Sequence, residues 1–260
     1  MTTPSTEAAV SRVLNWEGLY NARDTGGLRA GDAVVRHRAL IRSDGLARLT
    51  QTGIRELVAH GVRTVVDVRS TEEVERDSER YPFRERRYGV AYVNLPFNSG
   101  HDGDGWEHMR AAYAAAADRA ELNRLDIDLH RAGMARIIGA VADAQAGGVL
   151  VHCHAGKDRT GLVIGLSLAL VGVGDDEIAD DYALSAIHGA PLISEWVLEM
   201  SDDPTEQDRL RLLADPRHEA MLDTLGYVRE RYGSVERYLA EGGLTAEQVD
   251  RLRERLLTRA

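Results

Sequence analysis

A chain of 260 residues can fold as one large domain or two small ones, and 43% hydrophobic with 28% charged residues is the composition of an ordinary soluble globular protein. A formal net charge of −10 leaves no surplus of positive charge to neutralise phosphates, which argues against a nucleic-acid binder and against stable association with an anionic membrane. The one cysteine, Cys153, cannot form an internal disulfide, so a reducing, cytoplasmic setting is expected. Residues 1–14 read as a loose arm without the basic-then-apolar pattern of a secretory signal. The longest apolar stretch, "GLVIGLSLALVGVG", is too short for a bilayer. Leaderless export and oligomeric state stay open at this level.

The segment "NARDTGG", 21–27, is rich in turn formers. Apolar and basic residues alternate over 33–43 and predict a strand or hairpin arm. Thr50, then Ile54, Leu57 and Val58, then Gly61 predict a short helix with its start and stop. "RTVVDVRS" predicts a buried strand ending at Asp67 to Arg69, and "VAYVNLP" another, stopped by its proline. Residues 105–121 and 126–146 read as helices. "GGVLVH" predicts a central strand, and "RTGLVIGLSLALVGV" a helix apolar nearly all round and therefore buried. Helical segments follow near 175–187, 190–200, 205–213, 216–231, 234–241 and 245–258. Strands with helices first and helices last predict one domain over 1–260, with an α/β core over 15–174 and a helical region over 175–260.

Between the predicted strand and the buried helix lies "HCHAGKDRT", 152–160. It holds the only cysteine and Lys157, the only lysine among 32 basic residues. A loop that enters a helix offers free backbone N–H groups and the positive end of the helix dipole, and so holds anions. A thiol at its base is favoured as the thiolate, a good nucleophile toward phosphorus. Arg159 supplies a planar fork for two phosphate oxygens, Thr160 a hydroxyl for the sulfur, and Gly156 the freedom for a tight curl. A nucleotide P-loop would need glycine where Val151 stands and a hydroxyl where Asp158 stands. A metal site is disfavoured as well: "HCH" lacks a second cysteine, and no ligand-spaced histidine pair accompanies it. His152 reads as a structural hydrogen-bond partner rather than a base.

Cys-x5-Arg followed by Thr is the signature of cysteine-dependent phosphatases. The fuller string from His152 through Gly161, with Lys157-Asp158 before Arg159, resembles the atypical bacterial tyrosine phosphatases. "NARDTGG" resembles that family's N-terminal motif, with Ala22 in place of the usual Phe. "VVDVRSTEE" resembles its Asp-x-Arg-Ser-x-x-Glu strand end, and residues 232–257 its C-terminal tail. Residues 98–146 carry no such likeness. The resemblance implies a phosphatase-type fold, a central and mostly parallel sheet flanked by helices, with a helical C-terminal half and a lid over 190–225. It implies phosphate monoester hydrolysis through a phosphocysteine, most often of protein phosphotyrosine, with no cofactor and no metal.

The expected site is therefore Cys153 as nucleophile, with His154, Ala155, Gly156, Lys157, Asp158, Arg159 and Thr160 around the phosphate. Two aspartates compete as proton donor: Asp158 inside the loop, favoured by the resemblance, and Asp67, whose strand should end at the same sheet edge. Asp102 and Asp104 are third choices. The substrate is expected to be a phosphorylated protein, with a dual-specificity range or a phosphoinositide, which Lys157 would suit, as the alternative by the same chemistry. An idle phosphate-binding module is the reading from another class, opposed by a thiol that a mere binder does not need.

Overall fold

The computed structural model describes residues 12–83, 87–98 and 111–258. In chain order come strands β1 (Arg23–Asp24), β2 (Arg29–Ala30), β3 (Ala33–Val35) and β4 (Leu40–Ser43), helix α1 (Gln51–His60), strand β5 (Val62–Asp67), helix α2 (Thr71–Arg76) and strand β6 (Ala91–Asn94). Helices α3 (Arg119–Leu129) and α4 (Arg131–Asp143) precede strand β7 (Gly148–His152) and helix α5 (Asp158–Leu170). Then follow α6 (Asp175–His188), α7 (Ala190–Met200), α8 (Pro204–Ala214), α9 (His218–Tyr232), α10 (Val235–Glu241), α11 (Ala246–Leu256) and the short strand β8 (Leu257–Thr258).

The main sheet has the order β1-β4-β7-β5-β6, with β4, β7, β5 and β6 parallel and β1 antiparallel at one edge. A small antiparallel sheet joins β2, β3 and β8 and so pairs residues 34–35 with residues 257–258. The central strands are covered on both faces, as parallel strands must be. Their pleat alternates between two cores: Val149 and Val151 face one packed with α4, α5 and the C-terminal helices, while Leu150 between them joins the other, with Ile54 and Leu57 of α1. In register, Ser43 and Asp67 flank His152, and Asn94 stands beside Asp67. The C-terminal edge of the sheet thus presents its strand ends side by side, and the loop 152–160 leaves from the middle of it.

Local signals explain the boundaries. Thr50 caps α1 by accepting from the Gly53 amide at 3.2 Å, and Gly61 ends it at φ 106°, a conformation that glycine adopts without penalty. The C-terminal helices start and stop within a few residues of their expected positions. Two expectations shift. The strand predicted over 33–43 is interrupted, because residues 36–39 turn, with Arg38 at φ 65°. The helices predicted over 105–121 and 126–146 divide elsewhere. Asp118 caps α3 by accepting from the Glu121 amide at 3.0 Å, so 122–125 are helical and the break falls at His130. Residues 105–110 lie outside the described part, as do Asp102 and Asp104. No helix of the described residues is long and apolar enough to cross a membrane.

Candidate active site

The loop between β7 and α5 owes its shape to its carbonyls. Val68 N–H donates to His152 O at 2.9 Å, and Gly45 N–H to His154 O at 2.8 Å. The Asn21 amide donates to Ala155 O at 2.9 Å, and Arg42 to Gly156 O at 2.8 Å and to Lys157 O at 3.4 Å. His152 Nδ1 stands 3.0 Å from Cys153 O. Six successive carbonyls are therefore held by the scaffold. A trans peptide unit points its N–H opposite to its C=O, so the loop's amides turn toward the concave side, where an anion would sit. The scaffold is itself charged and buried. Arg42 Nη1 lies 2.7 Å from Asp181, and Arg23 bonds Asn21, the Asp181 carbonyl and Ser185. The "NARDTGG" segment thus braces the loop from behind.

Gly156 is the tight point. Its φ is 66°, and a β-carbon there would stand 2.4 Å from Ser43 O. Gly156→Ala should therefore lower both the melting temperature and kcat/KM, the latter by about tenfold or more given the 1–3 kcal/mol scale of such backbone strain. Thermal unfolding and steady-state kinetics on one preparation would check it. Wild-type values for both would mean the loop yields at no cost.

Cys153 sits at the base of the loop, 3% exposed. Arg159 is clamped by Glu73, whose two oxygens take Nη1 at 2.5 Å and Nη2 at 2.8 Å. Glu73 also closes a capping box at the start of α2: its carboxylate accepts from Ser70 N–H at 2.9 Å while Ser70 Oγ caps its own amide. One side chain therefore starts a helix and aims the arginine. Burial opposes its ionisation, but the Arg159 hydrogen bonds and charge prevail and hold Glu73 down to about 2. The stabilisation from this pair is complete above the ordinary glutamate value near 4.5 and fades only as pH falls toward 2. Across the neutral range the clamp does not titrate.

His152 is fully buried behind the loop, with both ring nitrogens engaged. Nδ1 must donate, since Cys153 O only accepts, so Nε2 accepts from Tyr81 Oη at 2.5 Å. Burial holds His152 below its ordinary value and keeps the ring neutral. Asp67 is 0% exposed and already saturated: Arg69 reaches it from Nε at 3.0 Å and Nη2 at 2.8 Å, the Arg69 amide at 3.0 Å, and Tyr92 Oη at 3.1 Å. It shares the sheet edge with the loop, as its strand predicts, but does not line the cavity above Cys153. Thr160 Oγ1 is buried without a hydrogen-bond partner, so the bond expected toward the sulfur is not made here.

Asp158 does line that cavity. Arg119 Nη1 lies 3.2 Å from its Oδ1 and Lys157 Nζ 3.4 Å from its Oδ2. Burial pushes the Asp158 carboxyl up, but Arg119, Lys157 and Arg159 outweigh it and hold the group below the usual carboxylate range. Lys157 is 4% exposed, and its ammonium donates to the Ala214 carbonyl at the end of α8. The sole lysine thus faces the helical roof. That roof is α7 and α8: Leu192, Ile193, Trp196, Leu210 and Leu213 close a cavity of about 650 Å³ over Cys153, His154, Ala155 and Arg159. Its walls are largely apolar, and its floor is the loop between β7 and α5. Glu73 and Arg119, absent from the expected site, stand in its walls.

Residues 14–258 match the sequence profile of the tyrosine phosphatase family. A tyrosine-protein phosphatase of Nostoc commune is 30% identical over 227 residues, covering 84% of this chain and 74% of its own. The triple specificity protein phosphatase PtpB of Mycobacterium tuberculosis is 30% identical over 272 residues, covering 92% of this chain and 97% of its own. A putative tyrosine-protein phosphatase of Cupriavidus necator is 30% identical over 230 residues, 88% of this chain and 83% of its own. On the profile and these relatives together, the chain belongs to the tyrosine phosphatase family.

Proposed function

We propose that this phosphatase hydrolyses protein phosphotyrosine by way of a phosphocysteine on Cys153, with Asp158 as proton donor. The observation that carries the reading is the loop itself: six carbonyls turned out, the sulfur at the base, and a guanidinium fixed by Glu73 beside it. Sγ attacks phosphorus, and the S–P bond forms as the P–O bond to the leaving oxygen breaks. Arg159 and the loop amides stabilise the equatorial oxygens, and Asp158 gives its proton to the leaving oxygen. Water then forms the new P–O bond as S–P breaks, and its proton returns to Asp158. Asp67 takes no part in the transfer: it is bonded to Arg69, whose other arm reaches Asp77 at 2.6 Å.

The apolar walls favour an aryl ester, and Lys157 spends its charge on Ala214 O and Asp158 rather than on a second phosphate. Both points support phosphotyrosine. A broader range is favoured by one observation, the triple specificity of the M. tuberculosis relative. Hydrolysis of phosphotyrosine peptide, phosphoserine peptide and a phosphoinositide, measured side by side, decides between them. Phosphotyrosine should be cleaved with the largest kcat/KM, and equal or better cleavage of the lipid would reverse the assignment.

The roof over 190–214 acts in this reading as a cover that opens for substrate and closes on the loop, excluding water during transfer. Trp196 stands in the cavity wall and reports on it. Its fluorescence should change when vanadate occupies the loop, and an emission spectrum indifferent to saturating vanadate would make α7 a fixed wall.

A further inference from the structure

Arg119 is a buried cation that the reaction as written does not use. It opens α3 and is 6% exposed. One arm of its guanidinium, Nη1, lies 3.2 Å from Asp158 Oδ1, and the other, Nη2, lies 3.7 Å from Asp126 Oδ2. Its Nε is buried without a hydrogen-bond partner. Two carboxylates therefore compete for one rigid fork. Asp126 is 7% exposed and is held from its other side by Tyr113, whose hydroxyl donates to Oδ1 and stands 3.2 Å from His130 Nε2.

The surroundings push the two carboxyls apart. Burial drives Asp126 up to about 6 against the pull of Arg119 and Tyr113. On Asp158, Arg119 and Lys157 prevail over burial in the opposite sense. Paired carboxyls separated in this way are the mark of an acid–base device. Asp158 faces Lys157 and Arg159 from its own loop and helix, Arg119 from α3 and Tyr182 from α6. Asp126 faces Arg119 and His130 around its own helix, Tyr113 from the 111–115 segment, and more distantly Arg159.

We propose that Arg119 is a positioning residue shared between the two carboxylates, setting the pH up to which Asp158 holds the proton that the leaving oxygen takes, with Asp126 as the counterweight. This rests on Asp158 being the proton donor. A resting Asp158 kept ionised takes that proton as substrate binds, either from solvent or from a phosphate monoester still singly protonated near pH 6. The cation on Asp158 opposes this step. Asp126, once ionised, draws the cation off and adds a like charge, and so assists it.

The readout is the basic limb of kcat/KM against pH, measured with phenyl phosphate, whose leaving group needs the proton, and with p-nitrophenyl phosphate, whose leaving group needs it less. Arg119→Met should move the phenyl phosphate limb to higher pH by about half a unit or more. Asp126→Asn keeps the acceptor for Tyr113 but leaves Arg119 wholly to Asp158. It should move the limb to lower pH, most clearly above about pH 6, where Asp126 ionises. Arg119→Lys keeps the charge and should hold the limb near its wild-type position. Shifts with p-nitrophenyl phosphate should be smaller throughout. Shifts in the same direction for Arg119→Met and Asp126→Asn, no shift, or equal shifts with both substrates would overturn the proposal. If Arg119→Met does not fold, Asp126→Asn decides alone, and a limb unmoved or moved upward overturns it. A wild-type enzyme that yields no phosphate on Cys153 after rapid denaturation would instead overturn the phosphocysteine reading, which these limbs do not test.

Discussion

Changing Cys153 to serine should abolish turnover, by roughly 10⁴-fold or more, the scale on which loss of a nucleophile acts, and leave ligand binding in place. The loop's shape depends on carbonyl contacts to Asn21, Arg42, Gly45, Val68 and His152, none of which involves the sulfur. The anion cradle should therefore survive the exchange. The hydroxyl that replaces the thiol is a poor nucleophile unless a base takes its proton. His152 cannot do so, because it lies behind the loop with both nitrogens engaged, and Asp158, as the proton donor of the first step, has to give a proton to the leaving oxygen at that moment rather than take one from the nucleophile. Binding of a phosphotyrosine peptide to the variant, by calorimetry, should be measurable and should be lost when Arg159 is also replaced by alanine. Turnover near the wild-type level would remove Cys153 from the chemistry, whereas loss of binding along with turnover would show that the sulfur helps to shape the loop.

The parts of the site that lie together in sequence were legible in it. The phosphate loop is contiguous, and its flanking strand and helix follow from an apolar run and an apolar helix face. That Asp67 ends level with His152 follows from two parallel buried strands. What holds the loop was not legible, because it is assembled over long separations. Arg42 reaches Gly156 across 114 positions, Asn21 reaches Ala155 across 134, and Glu73 reaches Arg159 across 86. One of these did leave a local trace: Ser70-x-x-Glu73 is a capping box and marks the start of a helix, though nothing in it says where the free face of the glutamate points. Arg119 left none, since it sits in the stretch where composition predicted helix in the wrong register. The Asp118 cap was the missed signal there. The same physics settles the place of Asp67 in the fold. An Asp-x-Arg pair at a strand end can close on itself, and here Asp67 and Arg69 do.

Exchanging Glu73 for glutamine should cost about 10² in kcat/KM while leaving the fold nearly unchanged. The carboxylate and the guanidinium meet fork to fork, and two parallel charge-assisted bonds fix the plane as well as the position of Arg159. Of the five N–H donors on Arg159, two are spent on Glu73, and Nε–H with the neighbouring Nη N–H forms the remaining fork that a phosphoryl group can use. Glutamine can still accept from Ser70 N–H, so the start of α2 should hold and the melting temperature should fall by little. It cannot accept both guanidinium bonds, because one of its two terminal atoms is a donor. Arg159 then loses its fixed plane, and a misplacement of about 1 Å at the reacting centre is worth roughly 10² in rate. Glu73→Ala also removes the reciprocal bond from Ser70 N–H, while Ser70 Oγ still caps the residue-73 amide, so it should add a stability loss of about 1 kcal/mol to the same kinetic defect. Thermal unfolding with kcat/KM on both variants separates the two roles of this side chain. A rise in kcat/KM for Glu73→Gln would mean that the pair holds Arg159 away from the phosphate, and that substrate must break it before the loop can work.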